Sequence, residues 1–141
     1  MFEIEFEVDG EPVGKGRPRF ARRGAFVSTY TAPKTKAYED SIIEVVKQKM
    51  YPNDPLEGPC SVNMILYVGI PKSYSKKRTQ ACMDGEEMPM KKPDLDNVAK
   101  AFLDAMNGIV YKDDVQVMRL VVQKVYDSHP SVVVHVKEML K

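Results

Sequence analysis

The 141-residue sequence predicts a single α+β domain spanning residues 1–141, with one mixed β-sheet of about four or five strands and two helices packed on one face. Two observations support this prediction. Four segments have the alternating or continuously apolar pattern of strands, and two longer segments have apolar side chains at helical spacing. The sequence contains no internal repeat and no linker that would divide it into two domains.

The composition is that of an ordinary globular protein. An apolar fraction of 43% and a charged fraction of 29% exclude a disordered chain. No apolar run approaches membrane-spanning length, so no membrane contact is expected. Cys60 and Cys82 are too few for a disulfide framework and lack metal-site spacing. The N-terminus resembles a strand rather than a signal peptide, and we therefore expect a cytoplasmic protein.

The first half of the chain predicts two strands and a helix. Residues 2–8 alternate large apolar side chains with glutamates, the period of a half-buried strand. Residues 34–50 are predicted to form a helix from the spacing of Tyr38, Ile42, Val45, Val46 and Met50. The apolar run 60–70 predicts a central strand.

The second half predicts two further strands, 115–126 and 131–139, joined by residues 127–130. Because this connection has the length of a hairpin turn, we predict that the two strands pair antiparallel. The irregular stretch 71–92 is predicted to be a mobile, substrate-facing flap, with a short helix in its first half as the alternative.

Charge is distributed unevenly along the chain. Residues 14–38 carry seven basic side chains and no acid, and residues 71–92 carry six basic side chains against three acids. The remaining residues therefore sum to about −9, from +1 − 7 − 3. This segregation predicts a polyanion-binding surface around an acidic centre, with ordinary surface variation as the alternative.

The basic residues 14–24 form a glycine-punctuated segment without the spacing of a phosphate-binding P-loop. We predict an irregular arm or wide hairpin here, with 26–30 as a possible short strand. The candidate contacts to a phosphate backbone are the basic side chains of this arm and of the later stretch: Lys15, Arg17, Arg19, Arg22, Arg23, Lys76, Lys77 and Arg78.

Acidic residues flank a predicted helix, 96–107, at both ends. Asp94 and Asp96 stand at its start, and Asp113 and Asp114 follow its end. At about 100° per residue, Asp96, Lys100 and Asp104 share one narrow polar stripe, and the opposite side of the helix is apolar.

Each of these features has an ordinary structural explanation. Asp94 could cap the helix, Asp96 and Lys100 could form a surface ion pair, and Asp113 and Asp114 could be loop residues. Together, however, the carboxylates supply the hard oxygen ligands of a Mg²⁺ site, with a lysine placed to stabilise a reacting phosphate. A small-molecule phosphatase or transferase is an alternative, since such enzymes also use an Asp-x-Asp pair.

One composite motif is more specific than its parts: Pro93-Asp-Leu-Asp-Asn97, Lys100, Asp104-Ala, Asn107-Gly and Lys112-Asp-Asp-x-Gln-Val117. This pattern resembles the RusA Holliday junction resolvases of bacteria and their prophages. The N-terminal motifs, residues 14–20 and 30–39, resemble the version found in Gram-positive and phage members. The resemblance therefore covers nearly the whole chain.

The resemblance implies a homodimer that binds four-way DNA junctions and nicks two strands symmetrically with Mg²⁺, for which Mn²⁺ is a possible substitute. Asp94, Asp96 and Asp114 match the family's metal-binding aspartates, and Lys100 matches its catalytic lysine. The family pattern selects Asp114 over Asp113, which the residues alone do not. The Met-rich stretch 81–90 and the basic arm depart from the best-known members. A branched-DNA-binding module without catalysis is the alternative.

Overall fold

The computed structural model describes residues 2–15, 19–23, 26–30 and 33–139, and it describes no side chains between 16 and 32. Its strands and helices follow the predicted α+β arrangement in this order: β1 (Glu3–Asp9), β2 (Arg19–Arg23), β3 (Phe26–Tyr30), α1 (Pro33–Met50), β4 (Cys60–Gly69), α2 (Lys76–Met83), α3 (Leu95–Met106), a single 3₁₀ turn (Asp114–Gln116), β5 (Val117–Asp127) and β6 (Ser131–Glu138).

Four strands form one mixed sheet in the order β1-β6-β4-β5. β4 is central, as its continuous apolar sequence predicted, and it pairs parallel with β5 and antiparallel with β6. β1 completes the sheet antiparallel to β6. Strands β2 and β3 pair with each other in a separate antiparallel ladder in which Arg23 lies opposite Phe26, so the basic arm contains a hairpin, but a narrower one than the wide hairpin that was one of its two predicted forms.

The predicted hairpin between β5 and β6 is wrong, because β4 lies between these strands. Gly69 of β4 lies opposite Asp127, and Tyr67 lies opposite Ser131, so the connection 128–130 crosses over the end of β4. Crossing one strand requires a span of roughly 10 Å, which three intervening residues can cover. A connection of this length can therefore join two neighbouring strands in a hairpin or cross over one strand that lies between them.

One face of the sheet carries the main core. Helices α1 and α3 pack there against alternate residues of the strands, and Phe102 of α3 is fully buried. Its ring lies 6.5 Å from the ring of Phe6 and 5.9 Å from that of Tyr38. The prediction of two helices on one face is thus confirmed, with a third helix beside them.

The third helix, α2, occupies the first half of the stretch predicted as a flap, which is the alternative form considered for it. Its Cys82 packs with Val68 and Tyr126 in a second, smaller apolar cluster. Cys60 and Cys82 are both buried free thiols. Within the described ranges, no helix is long and apolar enough to cross a membrane.

Candidate active site

The first acidic segment is the start of α3. Asp94 occupies the N-cap position, yet its side chain makes no capping hydrogen bond. Its Oδ2 instead accepts a 3.4 Å bond from Asn97 Nδ2 and lies 3.6 Å from the ammonium of Lys92. The carboxylates of Asp94 and of Asp96, two residues on, are both exposed. Helix capping therefore does not account for the Asp94 side chain.

The second acidic segment is the 3₁₀ turn that precedes β5. Asp113 caps this turn, with its Oδ1 accepting a 3.2 Å hydrogen bond from the Val115 N–H. Gln116 completes the capping box, since its Oε1 accepts from the backbone N–H groups of Lys112 and Asp113. The two neighbouring aspartates thus differ in role: Asp113 caps, and the Asp114 side chain points into a cavity beside α3.

Two further side chains fix the return from α3 to this turn. The Asn107 Oδ1 accepts a 3.0 Å hydrogen bond from the Asp114 N–H. The hydroxyl of Tyr111, which is fully buried, donates a 2.7 Å bond to the Leu103 carbonyl oxygen in the last turn of α3. Both bonds join the second acidic segment to the helix that carries the first.

A cavity of about 410 Å³ lies between α3 and the start of β5. Four charged side chains line it, Asp96, Lys100, Asp104 and Asp114, and the rest of its wall is apolar: Leu95, Ala99, Leu103, Leu120 and Val122. The structure therefore brings together three of the four residues predicted to be catalytic. Asp94 lines a neighbouring cavity of about 440 Å³ with Gly14, Lys34 and Asn97.

Negative charge dominates this cavity. The pKa of Asp114 is raised by a hydrogen bond with the Asp113 side chain, then by burial and by repulsion from Asp113 and Asp104. Among the ion pairs of the described residues, none involves Lys100, so the alternative of an Asp96–Lys100 surface pair is not what the structure has. Lys100 is the cation of the cavity, and its ammonium is available to a bound anion.

The donor chemistry of the cavity fits a hard divalent cation. The hydrogen bond with Asp113 is the main reason that the pKa of Asp114 is raised, and the smaller contribution from carboxylate repulsion is unfavourable charge of the kind that a bound cation relieves. Within the part of the chain that is described, no three acidic, histidine or cysteine side chains stand close enough together to hold a metal. Mg²⁺ does not require three protein ligands, because it commonly takes one or two carboxylates and completes its octahedron with water and substrate phosphate.

Lys15 lies beside this cavity in a network of ion pairs. Its ammonium is 2.8 Å from the Asp104 Oδ2 and 3.3 Å from the Glu39 Oε1. The hydrogen bond that the Lys15 ammonium donates to Asp104 is the main reason that the pKa of Lys15 is raised. The backbone N–H of Lys15 also donates a 3.0 Å hydrogen bond to the Asn97 carbonyl oxygen. Lys15 therefore ties the start of the basic arm to α1 and α3, and its charge is neutralised within the protein.

The base of this arm approaches α3 closely. A Cβ added at Gly14 would lie 3.0 Å from the Asn97 Cβ, which is too close for ordinary packing. Glycine at position 14 thus lets the backbone at the base of the arm lie close to Asn97, in the cavity that Asp94 also lines.

The other predicted DNA contacts fall into three groups. Lys76 and Lys77 are exposed in the first turn of α2. Arg78 donates three hydrogen bonds to the Glu87 carboxylate, and its guanidinium lies 3.6 Å from the centre of the Tyr74 ring, so its charge is already paired. Arg17 and the side chains of Arg19, Arg22 and Arg23 lie outside the described residues.

Sequence reasoning missed the residues that hold the two acidic segments in place. Asp113 and Gln116 have the spacing of a capping box, which could have been recognised from the sequence. Asn107 stands at the end of the predicted helix, and its bond to Asp114 has no local sequence signal. The pairing of Lys15 with Asp104 joins residues 89 positions apart and had none either.

Comparison with known proteins identifies the family of the chain. The family model described as endodeoxyribonuclease RusA matches residues 9–137. A relative from Bacillus subtilis (strain 168), the uncharacterised protein YqaN, is 38% identical over 138 residues, which cover 96% of each chain. The chain therefore belongs to the RusA endodeoxyribonuclease family, which implies a Holliday junction resolvase nuclease.

Proposed function

We propose that this protein is a Mg²⁺-dependent endonuclease that resolves four-way DNA junctions by paired, symmetric nicks. The observation that carries the proposal is the cavity in which Asp96, Asp114 and Lys100 meet, in a chain of the RusA family. The cavity offers two carboxylates for a divalent cation and one unpaired ammonium for the phosphate.

In this proposal Asp96 and Asp114 would hold the cation within the cavity, and Asp94, which lines the neighbouring cavity, would join them as a third ligand when cation and DNA bind; Mn²⁺ can replace Mg²⁺. When bound, a divalent cation would supply an activated water and positive charge that offsets the charge developing on the reacting phosphate. Lys100 donates hydrogen bonds to an oxygen of that phosphate, which stabilises the transition state. The Asp113 cap and the Asn107 bond keep Asp114 turned toward the cavity.

We expect junction DNA to be held near this cavity by basic residues of the arm and of α2. Arg17, Arg19, Arg22 and Arg23 on the arm, with Lys76 and Lys77 on α2, are the proposed phosphate contacts. Lys15 and Arg78 are not assigned to DNA, because each already pairs with a carboxylate. Binding that depends on several phosphate contacts should weaken steeply as salt is added.

A homodimer is the assembly proposed for this reaction, because a four-way junction has two-fold symmetry and its resolution needs two opposed cuts. A supercoiled plasmid with an extruded cruciform tests this point. Two nicks made within one binding event convert it directly to the linear form, whereas independent nicks accumulate the nicked circle first. Accumulation of the nicked circle would contradict paired cleavage.

Metal dependence is tested with an end-labelled synthetic junction, first in excess EDTA and then with Mg²⁺ or Mn²⁺ restored. The proposal predicts symmetric product strands only when a cation is present. Binding without cleavage under either cation would favour the branched-DNA-binding alternative. Hydrolysis of a generic phosphate ester that added junction does not inhibit would favour the phosphatase alternative.

A further inference from the structure

One lysine of β5 bridges to the segment immediately before the first metal-binding aspartates. The Lys124 ammonium donates a 2.8 Å hydrogen bond to the Lys91 carbonyl oxygen and a 3.0 Å bond to that of Pro93. Among the described residues, the recorded hydrogen bonds give these two carbonyl groups no other partner. We propose that Lys124 is a positioning residue for junction cleavage, which sets the orientation of the Asp94–Asp96 segment.

The place of Lys124 in the sheet argues for a specific role. In the parallel ladder it lies opposite Leu66, which is fully buried on the side of the sheet that faces the helices. The other β5 side chains of that row are apolar: Leu120, Val122 and Tyr126. A half-buried lysine in an apolar row is costly unless its ammonium is hydrogen-bonded. The two carbonyl oxygens provide those bonds.

The Pro93 carbonyl belongs to the peptide unit that contains the Asp94 N–H. Because a peptide unit is planar, a hydrogen bond that fixes the Pro93 carbonyl oxygen also fixes the direction of the Asp94 N–H. It therefore restricts the backbone orientation of Asp94. The same strand, β5, begins directly after the 3₁₀ turn that carries Asp114. Lys124 thus links the two acidic segments through one rigid strand, although its ammonium needs no contact with DNA or cation.

This inference rests on the proposed function, and its first test is independent of activity. In ¹⁵N,¹³C-labelled protein without DNA or metal, NMR should detect couplings across hydrogen bonds from Lys124 Nζ to the carbonyl carbons of Lys91 and Pro93. Absence of both couplings from a well-resolved Lys124 ammonium signal would overturn the proposal, whether or not the protein cleaves junctions.

The second test uses Lys124→Met, which keeps the length of the aliphatic side chain and removes the donors. We expect the single-turnover cleavage rate to fall about 10–100-fold, the range for loss of a residue that orients metal ligands. The Mg²⁺ concentration for half-maximal rate should rise, while the dissociation constant for junction stays unchanged. Lys124→Arg retains cationic N–H donors and should recover part of the rate.

Lys137→Met, an exposed lysine of β6, is the matched control and should cleave at the parental rate. Parental cleavage by Lys124→Met would contradict the proposal. So would weaker junction binding at an unchanged saturated rate, because that result identifies a DNA contact. If Lys124→Met does not fold, Lys124→Arg and the NMR couplings still decide the question.

Discussion

The Asn107 Oδ1 accepts a 3.0 Å hydrogen bond from the backbone N–H of Asp114, which joins the C-terminal end of α3 to the second acidic segment. Asn107 is exposed and lies at the helix C-cap, where an asparagine could be replaced at little cost to the core. Its bond is therefore more important for the position of Asp114 than for folding.

Replacing Asn107 with alanine should slow cleavage more than it lowers stability. A hydrogen bond of this kind contributes about 1 kcal/mol, and misplacing Asp114 by a similar energy in the transition state lowers the rate about fivefold to tenfold. Single-turnover rates at saturating protein measure the effect. Asn53→Ala is the control, because Asn53 is also exposed and its recorded hydrogen bond uses the backbone N–H. Equal rates for the two variants would contradict the role of Asn107.

Asp113 and Asp114 should respond differently to the same isosteric change. Asn at position 113 keeps an oxygen that can cap the Val115 N–H, so Asp113→Asn should retain parental stability and cleavage within about twofold. Asp114→Asn removes a proposed metal ligand and should cost several kcal/mol of transition-state stabilisation, more than about a hundredfold in rate. The reverse order of activities would show that the assignment of Asp114 is wrong.

Tyr111→Phe should destabilise the fold without changing any charge at the cavity. The substitution leaves the part-buried Leu103 carbonyl oxygen without its 2.7 Å donor, the hydroxyl of a fully buried tyrosine. Such a loss costs about 1–3 kcal/mol in the free energy of unfolding, which urea denaturation measures. Tyr51→Phe, at a tyrosine that is 82% exposed, should be neutral. An unchanged free energy of unfolding for Tyr111→Phe would mean that this bond does not stabilise the segment that connects α3 to the 3₁₀ turn.

The ion pairs of Lys15 should make stability depend on pH in the alkaline range. Its pKa in the folded protein lies above the ordinary value of 10.5, chiefly because of the hydrogen bond with Asp104. The stabilisation is therefore present in full below 10.5 and is lost as pH rises through the higher folded value. Lys15→Met should lower the melting temperature at neutral pH.

The difference in melting temperature between parent and Lys15→Met should then narrow as pH rises beyond 10.5. Comparing the two proteins at each pH removes the effect of the other lysines, which titrate in both. Lys47→Met, at an exposed lysine of α1, should show no such narrowing. A difference that stays constant across the alkaline range would show that the ammonium charge of Lys15 is not what stabilises the arm.

Much of the fold could be predicted because its signals are local. The apolar spacing of α3 predicted a helix over 96–107, and the structure has it at Leu95–Met106 with Phe102 in the core. The continuous apolar run of β4 predicted its central place in the sheet. In both cases the pattern of one segment determines which of its faces must be buried.

The pairing of the strands could not be predicted in the same way. The connection between β5 and β6 is short enough for a hairpin and long enough to cross β4, so its length does not determine which strands are neighbours. The partner of β5 is set by the chain between β4 and β5, which carries α2 and α3 and returns β5 parallel to β4. That choice depends on tertiary packing.

The residues of the site likewise fall into those whose position a local pattern predicts and those whose position depends on tertiary packing. Sequence placed Asp96, Lys100 and Asp104 on one helix face, and the structure finds all three on one cavity. Proximity of Asp114 to that face depends on Tyr111 and Asn107, whose bonds form only in the folded chain. Asp94 lines the neighbouring cavity together with Gly14 of the arm, and no local pattern predicts that these two residues meet.

The measurement that tests the central claim most directly is the cleavage of a labelled four-way junction by Asp96→Asn at saturating protein and Mg²⁺. The account predicts loss of cleavage by more than about a hundredfold, with junction binding kept or tightened because one repelling charge is removed. Asp40→Asn, which removes the same charge from an exposed position on α1, should cleave normally. Parental cleavage by a folded Asp96→Asn would show that the cavity between α3 and β5 is not where the DNA is cut.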